Sequence, residues 1–135
     1  MSAPEVRLAV LCDHAIVGQD GKVSVLGVFR NISVMGLPAQ HPRMYLVAIL
    51  GLDTGGHAVE VRLRGPDGGA AMAEPPRIEV RATAGQDVNV IVELNSVAFS
   101  AYGAHRFDLD VDGRTAVSLP LSISQMPAPG QLRTN

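Results

Sequence analysis

The sequence predicts an all-β domain: a single antiparallel β-sandwich of about eight strands, immunoglobulin-like or jelly-roll-like, over residues 1–125, with a flexible C-terminal tail at 126–135. Three observations lead there. Apolar residues recur at every second position in segment after segment, which puts alternate side chains on one face of a strand. Clusters of Gly, Asp and Pro fall where such strands must reverse. No ten-residue stretch carries a helical period. At 135 residues the chain has material for one core, since a fold of this size buries roughly two-thirds of its unfolded surface.

The elements follow in order. Residues 5–12 and 14–18 read as two strands, closed by the turn residues Gln19, Asp20 and Gly21. Over 22–34 the apolar phase passes from Val23 and Val25 to Leu26 and Val28, and a bulge beside Gly27 accounts for the change. Pro42 offers no ladder donor, so it marks the start of the strand 43–52, with Arg43 the last exposed residue and Asp13 a candidate partner for it. Within that strand Met44, Leu46, Val47, Ile49, Leu50 and Leu52 fill both phases, as in a strand covered on both faces.

In 57–64, Val59, Val61 and Leu63 alternate with Glu60, Arg62 and Arg64, and in 77–83, Ile78, Val80 and Ala82 alternate with Arg77, Glu79 and Arg81. The Gly-, Ala- and Pro-rich stretch 65–76 between them is the longest irregular connection. Strand 87–95 turns Val88, Val90, Val92 and Leu94 inward and Ile91 outward. Residues 105–124 form a hairpin in which Leu109 meets Val117 and Phe107 meets Leu119. That register asks for an odd loop, most simply Asp112, Gly113 and Arg114.

Hydrophobic residues make up 47% of the chain and charged ones 18%, against about 25% charged in an ordinary domain. The surface is therefore poor in charge. A net charge of -2 without any Lys/Arg cluster sets nucleic-acid binding aside. The lone Cys12 has no partner for an internal disulfide and sits in an apolar run, where a thiol acts as a small core hydrophobe. Only five uncharged residues separate Arg7 from Asp13, too few for a signal-peptide core, and no segment reaches the roughly 18 apolar residues of a membrane span. A cytoplasmic protein without membrane contact is the expectation.

Asp108, Asp110 and Asp112 stand at alternate positions, as carboxylates do when they converge on calcium. The helical calcium loop does not fit, because Leu119 occupies the place of its closing Glu. A solvated strand face is the reading taken, with a cation site as its competitor. His14, His41, His57 and His105 share no short metal-ligand spacing. Asp13 and His14 are strand neighbours whose side chains point to opposite faces, which disfavours an acid–base dyad. The serines lack a nucleophile elbow, and no Gly-rich loop leads into a helix. No catalytic residue, metal ligand or cofactor is therefore assigned.

Three stretches carry a resemblance: Leu11–Ile32, LCDHAIVGQDGKVSVLGVFRNI; Leu37–Leu50, LPAQHPRMYLVAIL, with His41, Pro42 and Arg43 ahead of a buried strand; and Phe107–Gly113. They resemble a family of small bacterial β-sandwich proteins of unknown function, over about Val6 to Ile123. The resemblance implies a bacterial sandwich domain and assigns no activity. This chain departs from the family pattern at Asp13 and His14, where small apolar residues are commoner.

The functional expectation is a non-enzymatic interaction or assembly module, a homo-oligomer or a docking partner for another protein. Its contacts are expected at a sheet edge or an apolar face holding Ile91 and the loop aromatics Phe99 and Tyr102. The alternative is a module that binds a cation through the three Asp, or a glycan through Phe99 and Tyr102. With no Trp and two Tyr, the chain offers few of the aromatic platforms glycan sites use.

Overall fold

The computed structural model describes residues 3–127, which contain nine strands and no helix. In chain order they are β1 (Glu5–Val17), β2 (Val23–Val28), β3 (Asn31–Val34), β4 (Ala39–Gly51), β5 (Gly55–Arg64), β6 (Arg77–Ala82), β7 (Val88–Phe99), β8 (Gly103–Val111) and β9 (Arg114–Gln125). They form two sheets, ordered β2-β1-β4-β7 and β3-β9-β8-β5-β6. The all-β architecture is as the period-two alternation requires. Of the expected tail, 128–135 lies outside the described residues, and the Met126 N–H donates to the Val34 carbonyl at 2.7 Å.

The two short strands expected at 5–12 and 14–18 are one. Residues 5–12 of β1 pair with β4, and 12–17 pair with β2. A strand has two hydrogen-bonding edges, so a change of partner needs no break in the chain. The segment 22–34, by contrast, is two strands. Phe29 gives its N–H to Leu11 in the first sheet and Arg30 gives its carbonyl to Ser122 in the second, so the chain changes sheets between them.

β3 then runs parallel to β9, with Ile32 beside Ile123. The purely antiparallel expectation is corrected at this pair. No bulge lies at Gly27, since the β1–β2 register is unbroken from Cys12↔Val28 to Val17↔Val23. Gly27 instead has φ +70°, and a Cβ there would stand 2.4 Å from Asp13 Oδ2, so its lack of a side chain makes room for the carboxylate.

The strand expected from Arg43 begins at Ala39, and Pro42 lies inside it. Pro42 is beyond the β1–β4 ladder, which ends at Cys12↔Tyr45, and on its other side stands Ser96, between the pairs Arg43↔Asn95 and His41↔Val97. Ser96 has φ 53°. The left-handed residue reverses the alternation of β7, so Leu94 faces the core before it and Val97 and Phe99 face the core after it.

The final hairpin pairs Leu109 with Val117 and Phe107 with Leu119, as expected. Its turn is shorter than expected. Asp112 and Gly113 make a two-residue turn with φ 52° and 84°, the positive values of a type I′ hairpin, and a register shift between Leu109 and Asp110 supplies the odd residue.

Side chains of both sheets meet in one buried cluster. Met44, Leu46, Ala48, Leu50, Val90 and Val92 come from the first sheet, and Val59, Val61, Leu63, Phe107, Leu109 and Leu121 from the second.

Candidate functional site

The outer faces of the two sheets differ in kind. On the second, residues alternate outward as Arg77, Glu79 and Arg81 on β6, Glu60, Arg62 and Arg64 on β5, and Arg106, Asp108 and Asp110 on β8. Opposite charges stand side by side across this sheet. Arg62 Nε lies 3.1 Å from Asp110 Oδ2 and 3.2 Å from Glu60 Oε1.

Asp108 Oδ1 accepts from Arg106 Nε at 3.0 Å and from the Ser118 hydroxyl at 2.6 Å, with Arg64 Nε 3.7 Å from Oδ2. Thr115 donates to Asp110 at 2.7 Å. Asp108 and Asp110 are buried at 5% and 8% exposure. The solvated acidic face expected from the sequence is thus a sunken row of carboxylates under arginines. Burial without partners would be costly for these charges, and the flanking guanidinium groups satisfy it.

Asp112 does not join that row. It sits in the β8–β9 turn, where Oδ1 accepts the Ala58 N–H at 2.9 Å and Oδ2 accepts His57 Nδ1 at 2.6 Å. His57 Nε2 is 2.6 Å from the carbonyl oxygen of Asp53. Both ring nitrogens face acceptors, an arrangement that favours the doubly protonated ring. The Asp53 carbonyl and then the Asp112 carboxylate hold its pKa above the usual histidine range. The Ala58 N–H and His57 hold Asp112 below the usual carboxylate range.

A cleft of about 530 Å³ opens beside this clasp, lined by Pro4, Leu52, Arg114 and Thr115 among others. Both ring nitrogens of His57 already face acceptors, which competes with service as a base or a metal ligand.

The other histidines lie apart. His14 meets the Tyr45 ring edge-on at 5.7 Å, His41 leans on Phe29, and buried His105 packs edge-on against Phe99 while its Nδ1 donates to the Gly103 carbonyl. Among the described residues no three His, Cys, Asp or Glu side chains are grouped to hold a metal ion.

The outer face of the first sheet is apolar along its middle, with Glu5, Arg7 and Asp87 forming ion pairs at one end and Arg43 near Glu93 at another corner. The register places Val28 and Leu26 of β2 beside Cys12 and His14 of β1, then Tyr45, Val47 and Ile49 of β4, then Ile91 and Glu93 of β7. Leu8, Val10 and Ile16 complete it along β1. Cys12 and Val47 are fully covered by their neighbours, and burial pushes the Cys12 thiol up.

Toward the free edge at β2 the cover is lost: Leu26 is 60% exposed, Val28 55% and Ile16 54%, and Leu8, in the other half of β1 opposite Ile49, is 37% exposed. At the opposite corner the Tyr45 hydroxyl donates to Glu93 at 3.0 Å, and Arg43 stands 3.9 Å from the same carboxylate. Arg43 therefore pairs with Glu93 rather than Asp13, because Asp13 lies on the other face of the sheet beside Gly27.

Of the three expected contact residues, Ile91 lies on this face, half-buried beside Val47. Phe99 does not; it is 2% exposed and belongs to the core. The phase reversal at Ser96 turns it inward, so it is no surface aromatic. Tyr102 is exposed at 38% in the β7–β8 turn, away from Ile91. Leu8, Ile16, Leu26 and Val28 were missed as a group. The available signal was the pair of apolar phases on 22–28, which means a strand apolar on both faces rather than a bulged one.

These features define a two-sheet, all-β domain with one charged and one largely apolar outer face. Residues 7–124 match the model of a family of unknown function designated DUF6941, and the chain belongs to that family. No curated protein matches the sequence.

Proposed function

We propose that this protein is a non-enzymatic interaction module, a single β-sandwich that docks through the outer face of its β2-β1-β4-β7 sheet on a second copy or another protein. The observation that carries the reading is the exposure of Ile16, Leu26 and Val28 together on one face of the β1–β2 hairpin. Scattered apolar residues are ordinary on a protein surface, but a contiguous patch of several hundred Å² marks a contact site. Charge is sparser here than on the opposite face and stands at its ends, where Arg43 lies near Glu93 and Arg7 pairs with Glu5 and Asp87.

A catalytic reading gains nothing from the site geometry, because His57 is held between two acceptors and each of Asp108, Asp110 and Asp112 already has donors. The same occupancy leaves a cation reading without support. The test is retention of binding partners, itself included, by immobilised protein. Leu26→Lys releases them if the face is the docking site, and retention unchanged by Leu26→Lys and Val28→Lys contradicts the reading.

A further inference from the structure

We infer that a separate ligand site lies where the β5–β6 connection meets the β7–β8 turn, and that it takes a primary ammonium group, on a free amine or on a lysine side chain, through His105, Asp67 and Tyr102. It stands apart from the apolar face and does not depend on the docking reading.

The backbone builds the cavity. The Gly65 N–H donates to the Gly69 carbonyl at 2.9 Å, the Gly68 N–H to the Gly65 carbonyl at 2.9 Å, and the Ala71 N–H to the Leu63 carbonyl at 2.8 Å, so the connection is folded back on itself. Gly103, with φ +111°, lies so near Pro66 that a Cβ on it would stand 3.4 Å from Pro66 Cγ. That contact seats the connection against the β7–β8 turn. Between the two opens a cleft of about 320 Å³, lined by Pro66, Asp67, Ser100, Tyr102 and His105 among others. The volume is at the lower end of those that small-ligand sites occupy.

His105 gives the cleft a fixed polar atom. The residue is 4% exposed, and its ring packs edge-on against Phe99 with centroids 5.3 Å apart. Nδ1 donates to the Gly103 carbonyl at 3.1 Å, so the neutral ring carries its lone pair on Nε2. Nε2 has no partner within the protein. Among the described residues Arg64 Nε is the one fully buried side-chain nitrogen or oxygen in that condition, so Nε2 is open to the cleft that its ring lines. An acceptor aimed from a buried ring into a small cleft is matched by water or by a ligand's donor.

The rest of the lining selects the ligand. Asp67 Oδ1 accepts the Gly69 N–H at 2.9 Å, and Cβ atoms on Gly65 and Gly69 would stand 3.4 and 3.2 Å from that oxygen. Glycine at both positions thus leaves room around the carboxylate. Tyr102, 38% exposed, adds an aromatic face and a hydroxyl. A carboxylate and a bare imidazole nitrogen only accept, and an aromatic face attracts cations. No Lys or Arg stands among the described residues of the lining, so an anion finds no counter-charge. An apolar group would leave Nε2 and the carboxylate unmatched. An ammonium brings three donors and a positive charge, and its hydrogen bonds to Asp67 are of the strong, charge-assisted kind.

Nitrogen NMR of the whole chain with labelled histidine tests this, reading His105 Nε2 at mildly alkaline pH, where alkylamines stay charged. The probes are n-butylammonium, for a free amine, and N-acetyl-lysine methylamide, for a lysine within a polypeptide. A saturable shift of Nε2 is expected, with a dissociation constant raised about tenfold by Asp67→Asn and several-fold by Tyr102→Ala. The probe that binds more tightly identifies the source of the amine. Asp67 and Tyr102 are both exposed, and Asn preserves the turn that Asp67 makes, so both variants keep the fold, which circular dichroism establishes.

Tetramethylammonium, which has the charge without an N–H, and methyl glucoside, which has hydroxyls without the charge, should give no saturable shift. An Nε2 resonance unmoved by either amine overturns the inference. So does an equal response to tetramethylammonium or methyl glucoside, or an affinity indifferent to both variants.

Discussion

His57 Nδ1 lies 2.6 Å from Asp112 Oδ2, joining the start of β5 to the β8–β9 turn through a charged hydrogen bond. The pairing ties stability to pH in two directions. His57 has a folded pKa raised above its ordinary 6.5, so its contribution is complete below about that pH and is lost as pH rises through the folded value. Asp112 has a folded pKa lowered from 3.8, so its contribution is present above that pH and is lost as pH falls through the folded value. Melting temperatures of the wild type and His57→Gln should differ most between these limits. The gap should close on both the alkaline and the acid side.

Asp108 offers a second test. Its carboxylate is buried and accepts from Arg106 and Ser118, so Asp108→Ala removes charged hydrogen bonds and leaves Arg64 Nε, already without a hydrogen-bond partner, further from any acceptor. Because the arginines are partly exposed and able to turn to water, the cost is about 1.5–3 kcal/mol. Urea denaturation measures it. Replacing Asp108, Asp110 and Asp112 together by Asn should destabilise the protein as well, since the arginines above the row more than offset its like-charge repulsion.

Phe99 separates core from surface. Phe99→Ala should cost about 3–5 kcal/mol, as for other buried aromatics, and leave self-association of the folded fraction unaltered. Tyr102→Ala, at a more exposed site, should change stability by well under that amount in the same denaturation experiment.

Gly113 isolates backbone strain. Its φ is 84°, and a Cβ there would meet nothing within 4 Å, so Gly113→Ala adds no clash and costs only the left-handed conformation, about 1–2 kcal/mol. The loss should appear as a lower denaturation midpoint with an unchanged slope.

Alternation carried much of this fold. Val59 to Leu63, Val88 to Leu94 and Phe107 to Val111 lie on the faces their spacing assigns, and the Leu109–Val117 register is correct, because burial of one face fixes strand phase locally. What alternation cannot carry is a change of partner or of conformation. Nothing in Phe29–Arg30 reports that the chain crosses between sheets, and the parallel β3–β9 pair depends on residues 91 apart in the chain. Ser96 has no Gly to advertise a positive φ, so the reversal that buries Phe99 was invisible. The charged row was legible in Asp108 and Asp110, two of the three alternating Asp, while Asp112 turns away to His57. The burial of the row was not, because Arg62 and Arg64 reach it from β5 and the hydroxyls of Ser118 and Thr115 from β9, while only Arg106 lies on its own strand. The docking face was half legible: Ile91 pointed outward, but Leu26 and Val28 joined it only once β2 was placed against β1.

The central claim, that the outer face of β2-β1-β4-β7 is where this protein makes its contacts, is tested most directly by amide hydrogen exchange read by mass spectrometry at low micromolar and at near-millimolar protein. The account predicts that the higher concentration slows exchange in peptides covering 8–16 and 22–29 and leaves 60–64 and 104–111 unchanged. Slowing confined to the charged sheet, or exchange independent of concentration together with no partner released by Leu26→Lys, would contradict it.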